Sequence, residues 1–279
     1  MESVHILRID CDDREGLVYA ITGVLFHHGF NITSNREFVD SETRHFFMRT
    51  EFTGDISGLE LEKELLGVLP GKSNVELKDK SKKRVVVMVT REPHCLGDLI
   101  INHAFGEINA VIQAVISNRS SLEGLVSKFN IPFYHVPHEG LSRQEHEERI
   151  LDVLGKYNPE YIVLAKYMRI LTPGFVERFR NRIINIHHSF LPAFVGADPY
   201  AQAFRRGVKI IGATAHFVND YLDEGPIITQ GVIPIDHKYG PEEMRQAGRD
   251  VEKVVLAKAL RLVFDDKVFI NGNKTIVME

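Results

Sequence analysis

Two hydrophobic periods alternate along the first eighty residues. Strand-type alternation and short apolar runs predict four strands, at Val4–Ile9, Asn31–Ile32, Arg44–Thr50 and Val75–Leu77. Helix-type spacing of apolar residues predicts two helices, at Leu17–His28 and Gly58–Leu69. The resulting order of strand, helix, strand, strand, helix and strand is typical of a ferredoxin-like domain, and we assign residues 1–80 to it.

From residue 81 onward, apolar strands alternate with helices. The predicted strands are Val85–Val89, Ala110–Ile116, Pro132–Val136, Tyr161–Ala165, a strand from Ile183, Ile210–Val218 and Ile227–Ile235. The predicted helices are Leu96–Phe105, Leu122–Phe129, Ser142–Tyr157, a short helix from Pro173, Asp198–Arg206 and Pro241–Phe264. A hairpin over Val268–Val277, turning at Asn271-Gly272, ends the chain. Such alternation predicts an α/β domain with a mostly parallel sheet over residues 81–279.

Composition narrows the class of protein. With 279 residues, 44% of them hydrophobic and 26% charged, the chain has the makeup of a globular protein of about two domains. A net charge of −4 gives no reason to expect nucleic acid or an anionic membrane as a partner. Two cysteines cannot make a disulfide framework, and the amino terminus lacks the pattern of a signal peptide. We therefore expect a cytoplasmic protein.

Candidate chemistry lies at the end of one predicted strand. Within Ile183–Gly196, Asn185 and His187 point to the same face, opposite their isoleucine neighbours. Asp223 follows a predicted strand that carries His216. A histidine can move protons, an asparagine can donate to an oxyanion, and an aspartate can orient either the histidine or a water molecule. Taken alone, however, the Asn185 and His187 pair favours the interpretation of two satisfied, inert polar groups at a strand end.

The turn after the first strand of the second domain lacks a phosphate-binding motif. Thr90–Asp98 contains one glycine, Gly97, where nucleotide-binding α/β proteins carry a glycine-rich loop. The domain therefore binds no phosphate at this edge, or binds it by other means.

Three motifs carry a resemblance to a known family. NIHHSFLPAF, the strand with Thr214 and His216, and the segment from Asp223 to Gln230 resemble the folate-dependent formyltransferase superfamily, whose fold is Rossmann-like. HCLGDLI and VLAKYMRILTP are similar to its formyl-hydrolysing branch. The resemblance implies hydrolysis of 10-formyltetrahydrofolate to tetrahydrofolate and formate, which supplies formate for purine synthesis and balances one-carbon pools. It implies no cofactor, because the folate is the substrate, and no metal.

The same resemblance implies roles for individual residues. Asn185 polarises the formyl oxygen, His187 shuttles the proton, Asp223 positions water and the histidine, and His216 supports the loop of Asp223. The substrate's pterin ring is expected to lie against a wall made by Met168, Arg169, Ile170, Leu171, Val218, Asn219 and Leu222. Asp198 departs from the family, which has a basic residue at that position.

The first domain resembles an ACT domain, a small-effector module with the same order of elements. The residues that carry this resemblance are DDREGLVYAITGVL and HGFNI. It implies an amino-acid site lined by Asp12, Gly16, Asn31 and Ile32 between paired domains, and hence a homo-oligomer. A dimerisation module that binds nothing is the alternative.

Three other functions stay open at this point. The chain could transfer the formyl group to a small amine, or it could sense folate or an amino acid with an inactive catalytic domain. A metallohydrolase using His187, His188 and His216 is a weaker alternative, because adjacent residues of a strand point to opposite faces.

Overall fold

The chain forms two compact units in the computed structural model, which describes residues 3–55, 58–193 and 199–279. The first unit comprises Met1–Ser81, Asp265–Phe269 and Val277–Glu279, and the second comprises Lys82–Phe264 and Ile270–Ile276. Among the described residues, no helix combines the length and the apolar character needed to cross a bilayer.

The end of the chain departs from the expected division at residue 80, because two of its segments belong to the first unit. The Arg8 guanidinium donates to the carbonyl oxygen of Val268 at 2.7 Å. Arg49 donates to the carbonyl oxygens of Asp265, at 2.9 Å, and Asp266, at 3.1 Å. These hydrogen bonds join residues more than 200 positions apart in the chain. Hydrophobic periodicity describes only neighbouring residues, so it did not indicate them.

The first unit has the predicted ferredoxin-like order. Its elements are β1 (Val4–Asp12), α1 (Leu17–His27), β2 (Asn31–Asp40), β3 (His45–Thr53), α2 (Gly58–Val68) and β4 (Asn74–Asp79). The four strands form one antiparallel sheet in the order β2-β3-β1-β4. Leu17, Ile21 and Leu25, each four residues apart, are buried on the core side of α1, as the helical spacing predicted.

The second unit contains a seven-stranded sheet. Its strands are β5 (Lys83–Val89), β6 (Ala110–Ser117), β7 (Phe133–His135), β8 (Tyr161–Leu164), β9 (Ile183–His187), β10 (Ile210–Phe217) and β11 (Ile227–Pro234). They lie in the order β11-β10-β9-β8-β5-β6-β7. The five strands from β7 to β9 are parallel, and β10 runs antiparallel to both of its neighbours, β9 and β11, so the predicted mostly parallel sheet is confirmed.

Helices connect the strands of this sheet. They are α3 (His94–Ala104), α4 (Glu123–Val126), α5 (Arg143–Tyr157), α6 (Pro173–Arg178), α7 (Pro199–Arg206) and α8 (Pro241–Phe264). The short strands β12 (Val268–Asn271) and β13 (Lys274–Val277) pair with each other, and their turn lies at Gly272 and Asn273, one residue later than predicted.

Strand order fixes where a ligand can bind. From β5, the chain first adds β6 and β7 on one side and later adds β8 and β9 on the other. The order therefore reverses between β5 and β8, and open α/β sheets bind ligands beyond the carboxyl ends of strands at such a point. β9, with Asn185 and His187, ends at this edge.

Candidate active site

Strand pairing brings Asn185 next to His216. β9 and β10 are antiparallel, with Asn185 opposite His216 and His187 opposite Thr214. Side chains of residues directly opposite in an antiparallel pair lie on the same face. Accordingly, the Asn185 Nδ2 atom lies 3.2 Å from the His216 Nε2 atom.

His216 determines how the amide of Asn185 is used. The His216 Nδ1 atom lies 2.9 Å from the carbonyl oxygen of Phe217, which can only accept, so Nδ1 carries the proton. Burial lowers the pKa of His216, which keeps the ring neutral and leaves Nε2 as an acceptor. Asn185 therefore donates to His216. That bond uses one of the two N–H bonds of the amide, and the second can be donated to another acceptor.

Asp223 reaches both histidines from the loop after β10. Its Oδ2 atom lies 3.3 Å from His187 Nδ1, and its Oδ1 atom lies 3.8 Å from His216 Nε2. Burial opposes ionisation of Asp223, but the hydrogen bond to His187 and the neighbouring imidazoles outweigh it and lower the pKa of the carboxyl. The loop passes so close to β10 that a Cβ atom on Gly225 would lie 1.8 Å from the Phe217 carbonyl oxygen. We call Asn185, His187, His216 and Asp223 the cavity network.

The Nε2 atom of His187 is available to interact with a substrate. His187 Nε2 is buried and has no hydrogen-bond partner among the described residues. Because Nδ1 faces the Asp223 carboxylate, the neutral ring carries its proton on Nδ1 and presents a lone pair at Nε2. An imidazole in this state can accept a proton at Nε2 and later return it.

A cavity of about 310 Å³ lies against the cavity network. Asn185, His187, His216 and Asp223 all line it. So do the seven residues expected to bind the substrate, namely Met168, Arg169, Ile170, Leu171, Val218, Asn219 and Leu222. Met168, Ile170, Tyr221 and Leu222 expose half or more of their surface, which gives the cavity an apolar rim suited to a flat ring.

Three further lining residues, Lys166, Tyr167 and His188, were not among those expected to bind the substrate. His188 also shows that one inference from strand alternation was wrong, because it lines the same cavity as His187 and their rings stack at 4.9 Å. The strand ends at His187, so the alternation of faces ends there too. Burial, with smaller contributions from the Lys166 and His187 charges, lowers the pKa of His188 to about 4.

A second group of polar side chains converges on Glu252 of α8. His94 Nε2 lies 2.7 Å and Lys166 Nζ 3.2 Å from Glu252 Oε2, while the Tyr200 hydroxyl donates to Oε1 at 2.8 Å. We call His94, Lys166, Tyr200 and Glu252 the buried network. This network was not predicted from the sequence. Two signals could have indicated it, namely the polar HCLGD segment at the start of α3 and the helical spacing that puts Glu252 on the buried face of α8.

Distances alone would allow a metal ion at His94, Cys95 and Glu252, the three-ligand group found among the described residues. The chemistry of this group argues against a metal. The Glu252 carboxylate already accepts from three donors, one of them the Lys166 ammonium, which would repel a cation. Burial, followed by the charge of Glu252, strongly raises the pKa of the Cys95 thiol and so disfavours the thiolate that a metal needs.

The four residues expected to bind an effector do not lie close together within a single copy of the first unit. Asp12 ends β1, and Gly16 precedes α1 with a left-handed φ of 83°. Asn31 and Ile32 begin β2. Asp12 pairs with His45 of β3 and Asn31 pairs with Thr53, eight residues further along the same strand, which separates them by roughly 25 Å. Asp198 and Gly196 lie outside the described residues.

Comparison with known proteins identifies the class and then the family. The formyl transferase family model matches residues 83–260, and the ACT domain model matches residues 5–69. The formyltetrahydrofolate deformylase of Haemophilus influenzae is 53% identical over 273 residues, covering 98% of each chain. The crystal structure of a formyltetrahydrofolate deformylase from Pseudomonas syringae superposes with a TM-score of 0.96 at 39% identity, covering 100% of this chain and 95% of that one. A Burkholderia mallei structure of the same name gives 0.93 at 38% identity, covering 99% and 100%.

Fold and site thus define a formyl transferase domain joined to an ACT domain. The chain belongs to the formyltetrahydrofolate deformylase family.

Proposed function

We propose that this chain hydrolyses 10-formyltetrahydrofolate to tetrahydrofolate and formate, with water as the acceptor of the formyl group. The observation that carries the proposal is the cavity network, in which an oxyanion donor, a proton carrier and an orienting carboxylate line one cavity. The names of the relatives support the choice of substrate.

Asn185 is the proposed oxyanion donor. When water adds to the formyl carbon, the carbonyl oxygen becomes negatively charged, and the N–H of Asn185 not used by His216 stabilises it. His216 is a positioning residue, because its Nε2 accepts a hydrogen bond from one N–H of the Asn185 amide and so directs the other N–H to the oxyanion. The orientation of this amide exists before the substrate arrives, so little reorganisation is needed during the reaction.

His187 and Asp223 are the proposed proton-handling pair. His187 Nε2 takes a proton from the attacking water as the bond between oxygen and the formyl carbon forms. The same nitrogen then gives the proton to N10 as the C–N10 bond breaks, which releases tetrahydrofolate and formate. Asp223 holds the imidazole through Nδ1 and stabilises its positive charge between these two steps. These steps are assigned to protein side chains alone, with no cofactor or metal.

The proposed wall of the substrate site is the apolar rim. Met168, Ile170 and Leu222 offer contact surface to a pterin ring, and Arg169 and Asn219 offer polar groups beside it. The formate produced would feed purine synthesis and balance one-carbon pools.

Formate release tests this proposal. The purified chain should convert 10-formyltetrahydrofolate to equal amounts of formate and tetrahydrofolate without any added amine, while Asp223→Ala should show little activity. Glycinamide ribonucleotide, added as a formyl acceptor, should not divert the formyl group. Formate that appears only when an amine is supplied would instead establish a transferase, and full activity in Asp223→Ala would refute the site.

The separation of the effector residues supports a further proposal about assembly. Since Asp12 and Gly16 lie at one end of the sheet and Asn31 and Ile32 at the other, an amino-acid site using all four needs two copies of the unit. A thermal-shift screen of free amino acids, paired with sedimentation velocity, tests it. A shift that accompanies a dimer or larger assembly is expected, whereas binding to a monomer would contradict it.

A further inference from the structure

The main wall of the cavity is an irregular segment. Residues 165–171, which we call the wall segment, follow β8 and precede α6, and they contain neither helix nor strand. The segment nevertheless supplies six of the cavity-lining residues, namely Lys166, Tyr167, Met168, Arg169, Ile170 and Leu171. A backbone without regular hydrogen bonds keeps one shape only if other groups hold it.

Three backbone contacts hold the wall segment and the residue after it. The Ala165 N–H donates to the Met88 carbonyl oxygen at 2.9 Å, and the Met168 N–H donates to the Thr90 hydroxyl at 3.0 Å. The Thr172 N–H donates at 2.8 Å to Glu147, a buried carboxylate of α5. These contacts fix the two ends and one interior point of the segment.

Lys166 is the strained point of the segment. Its φ is 63°, in the left-handed region that costs a residue other than glycine free energy. Such a conformation persists where the surroundings determine it, and the determining contact here is made by the side chain. Lys166 is 5% exposed, and its ammonium group lies 3.2 Å from Glu252.

Glu252 holds more than Lys166 alone. Its carboxylate is 1% exposed and joins α8 to α3 through His94, to α7 through Tyr200 and to the wall segment through Lys166. Burial opposes ionisation, but the His94 hydrogen bond, the Lys166 charge and the Tyr200 hydroxyl outweigh it and lower the pKa of Glu252 to about 2. Burying an ion pair contributes little to stability compared with apolar packing, so the arrangement suits a role in specifying position.

Gly248 makes room for this arrangement. It lies one turn before Glu252 in α8, and a Cβ atom there would lie 2.0 Å from the Tyr200 hydroxyl oxygen. A glycine inside a long helix lowers helix stability relative to alanine. Here its absent side chain lets Tyr200 reach the carboxylate.

We propose that Glu252 is a positioning residue that holds Lys166, and with it the wall segment, in the form that binds the folate ring. The identity of the ring rests on the proposed function. The proposal gives the buried network a role in substrate binding and leaves the formyl chemistry to the cavity network.

A paired substitution tests the proposal. Glu252→Gln alone leaves the Lys166 ammonium buried without a counter-charge, and we expect it to lower stability. The double variant Lys166→Met with Glu252→Gln removes both charges while keeping the approximate size of the side chains, and the amide oxygen of the glutamine can still accept from the Tyr200 hydroxyl. We expect its unfolding temperature to lie close to that of the wild type. Its KM should rise about tenfold, with kcat changed less than about threefold.

A binding measurement makes the result independent of turnover, and two further variants test its specificity. The dissociation constant of tetrahydrofolate should rise by the same factor in the double variant. Tyr200→Phe, which removes one of the three donors to Glu252, should raise KM about twofold to threefold without loss of folding. Glu242→Gln is the matched control, because Glu242 lies on the exposed face of α8 and pairs with Arg245. Its KM should equal that of the wild type.

The outcomes separate this proposal from the proposed function. A folded double variant with the KM and tetrahydrofolate affinity of the wild type would overturn the positioning role of Glu252. A fall in kcat with no change in KM would overturn that role as well. Failure of the wild type to release formate would overturn the proposed function, and a weakened tetrahydrofolate affinity of the double variant would then still support the positioning role.

Discussion

The second unit contains two polar networks built from the same materials. Each centres on a carboxylate, the partly buried Asp223 in the cavity network and the buried Glu252 in the buried network, and each includes imidazole groups. In the buried network the carboxylate accepts from three donors on three elements. In the cavity network His187 Nε2 has no partner among the described residues, and Asn185 has a second N–H to donate.

This difference in hydrogen bonding indicates a structural role for the buried network and a catalytic role for the cavity network. A carboxylate that accepts from three donors ties together the segments that carry them, whereas unpaired groups at a cavity can bind a substrate and respond to its charge. In the buried network His94 Nδ1 also lacks a hydrogen-bond partner among the described residues, but it does not line the cavity. We therefore assign proton transfer and oxyanion stabilisation to the cavity network, and the shape of the substrate wall to the buried network.

Removing the proton carrier should have the largest effect. We expect His187→Gln to lower kcat by about a thousandfold, because glutamine can hydrogen-bond Asp223 but cannot carry a proton between water and N10. Steady-state formate release measures it, with tetrahydrofolate affinity as the control for binding. Loss of affinity with an unchanged kcat would move His187 from chemistry to binding.

Removing the oxyanion donor should cost somewhat less. Asn185→Leu keeps the approximate volume but removes the N–H, and we expect kcat to fall about a hundredfold with KM little changed. His216→Gln should lower kcat less, because it disturbs only the orientation of the amide. Equal losses in the two variants would show that orientation, and not donation, dominates.

Histidine burial predicts how stability depends on pH. The pKa of His188 is lowered by burial from 6.5 to about 4, so between these values the unfolded chain binds a proton that the folded chain does not. The free energy of unfolding should therefore fall as the pH drops from 7 to 4, with about 3 kcal/mol of the fall due to His188. Urea unfolding of His188→Gln should show a fall smaller by that amount. An identical fall in both proteins would contradict the burial of this ring.

The smallest predicted effect concerns the glycine that admits Tyr200. Gly248→Ala places a methyl group against the Tyr200 hydroxyl, and we expect the free energy of unfolding to fall by about 1–2 kcal/mol. Gly155→Ala in α5 is the control, since a Cβ atom there meets nothing within 4 Å, and it should stabilise the chain by up to about 1 kcal/mol. If both substitutions raised the free energy of unfolding, Tyr200 would be able to move away from the added methyl group without loss of stability, which would contradict the prediction.

The sequence predicted the elements of the fold and the shared face of Asn185 and His187 because these follow from local periods, whereas the roles of His216 and Asp223 came from the family resemblance. Alternation in β9 put Asn185 and His187 on one face, and the structure has them lining one cavity. Ser142 and Glu145, whose spacing in the sequence is that of a capping box, form one at the start of α5. These predictions needed only residues that are close in the chain.

The buried network could not be predicted in the same way, because it joins residues as far apart as His94 and Glu252. Even within α8, hydrophobicity alone would assign Val254 to the buried face and Glu252 to the solvent, whereas Val254 is 69% exposed and Glu252 is buried. The spacing of Met244, Gly248, Glu252 and Val255 marks the true buried face. A charged residue on such a face indicates a partner, but the period of the helix does not say which one.

A single-turnover comparison tests the division of labour between the networks most directly. Asp223→Asn keeps the size of the side chain and suits the left-handed φ of 58°, while Lys166→Met with Glu252→Gln changes the buried network and leaves the four residues of the cavity network in place. At saturating 10-formyltetrahydrofolate, we expect the rate of formate formation to fall at least about a hundredfold in Asp223→Asn and to stay within about threefold of the wild type in the double variant. Comparable losses in both variants, or a loss confined to the double variant, would contradict this division of labour.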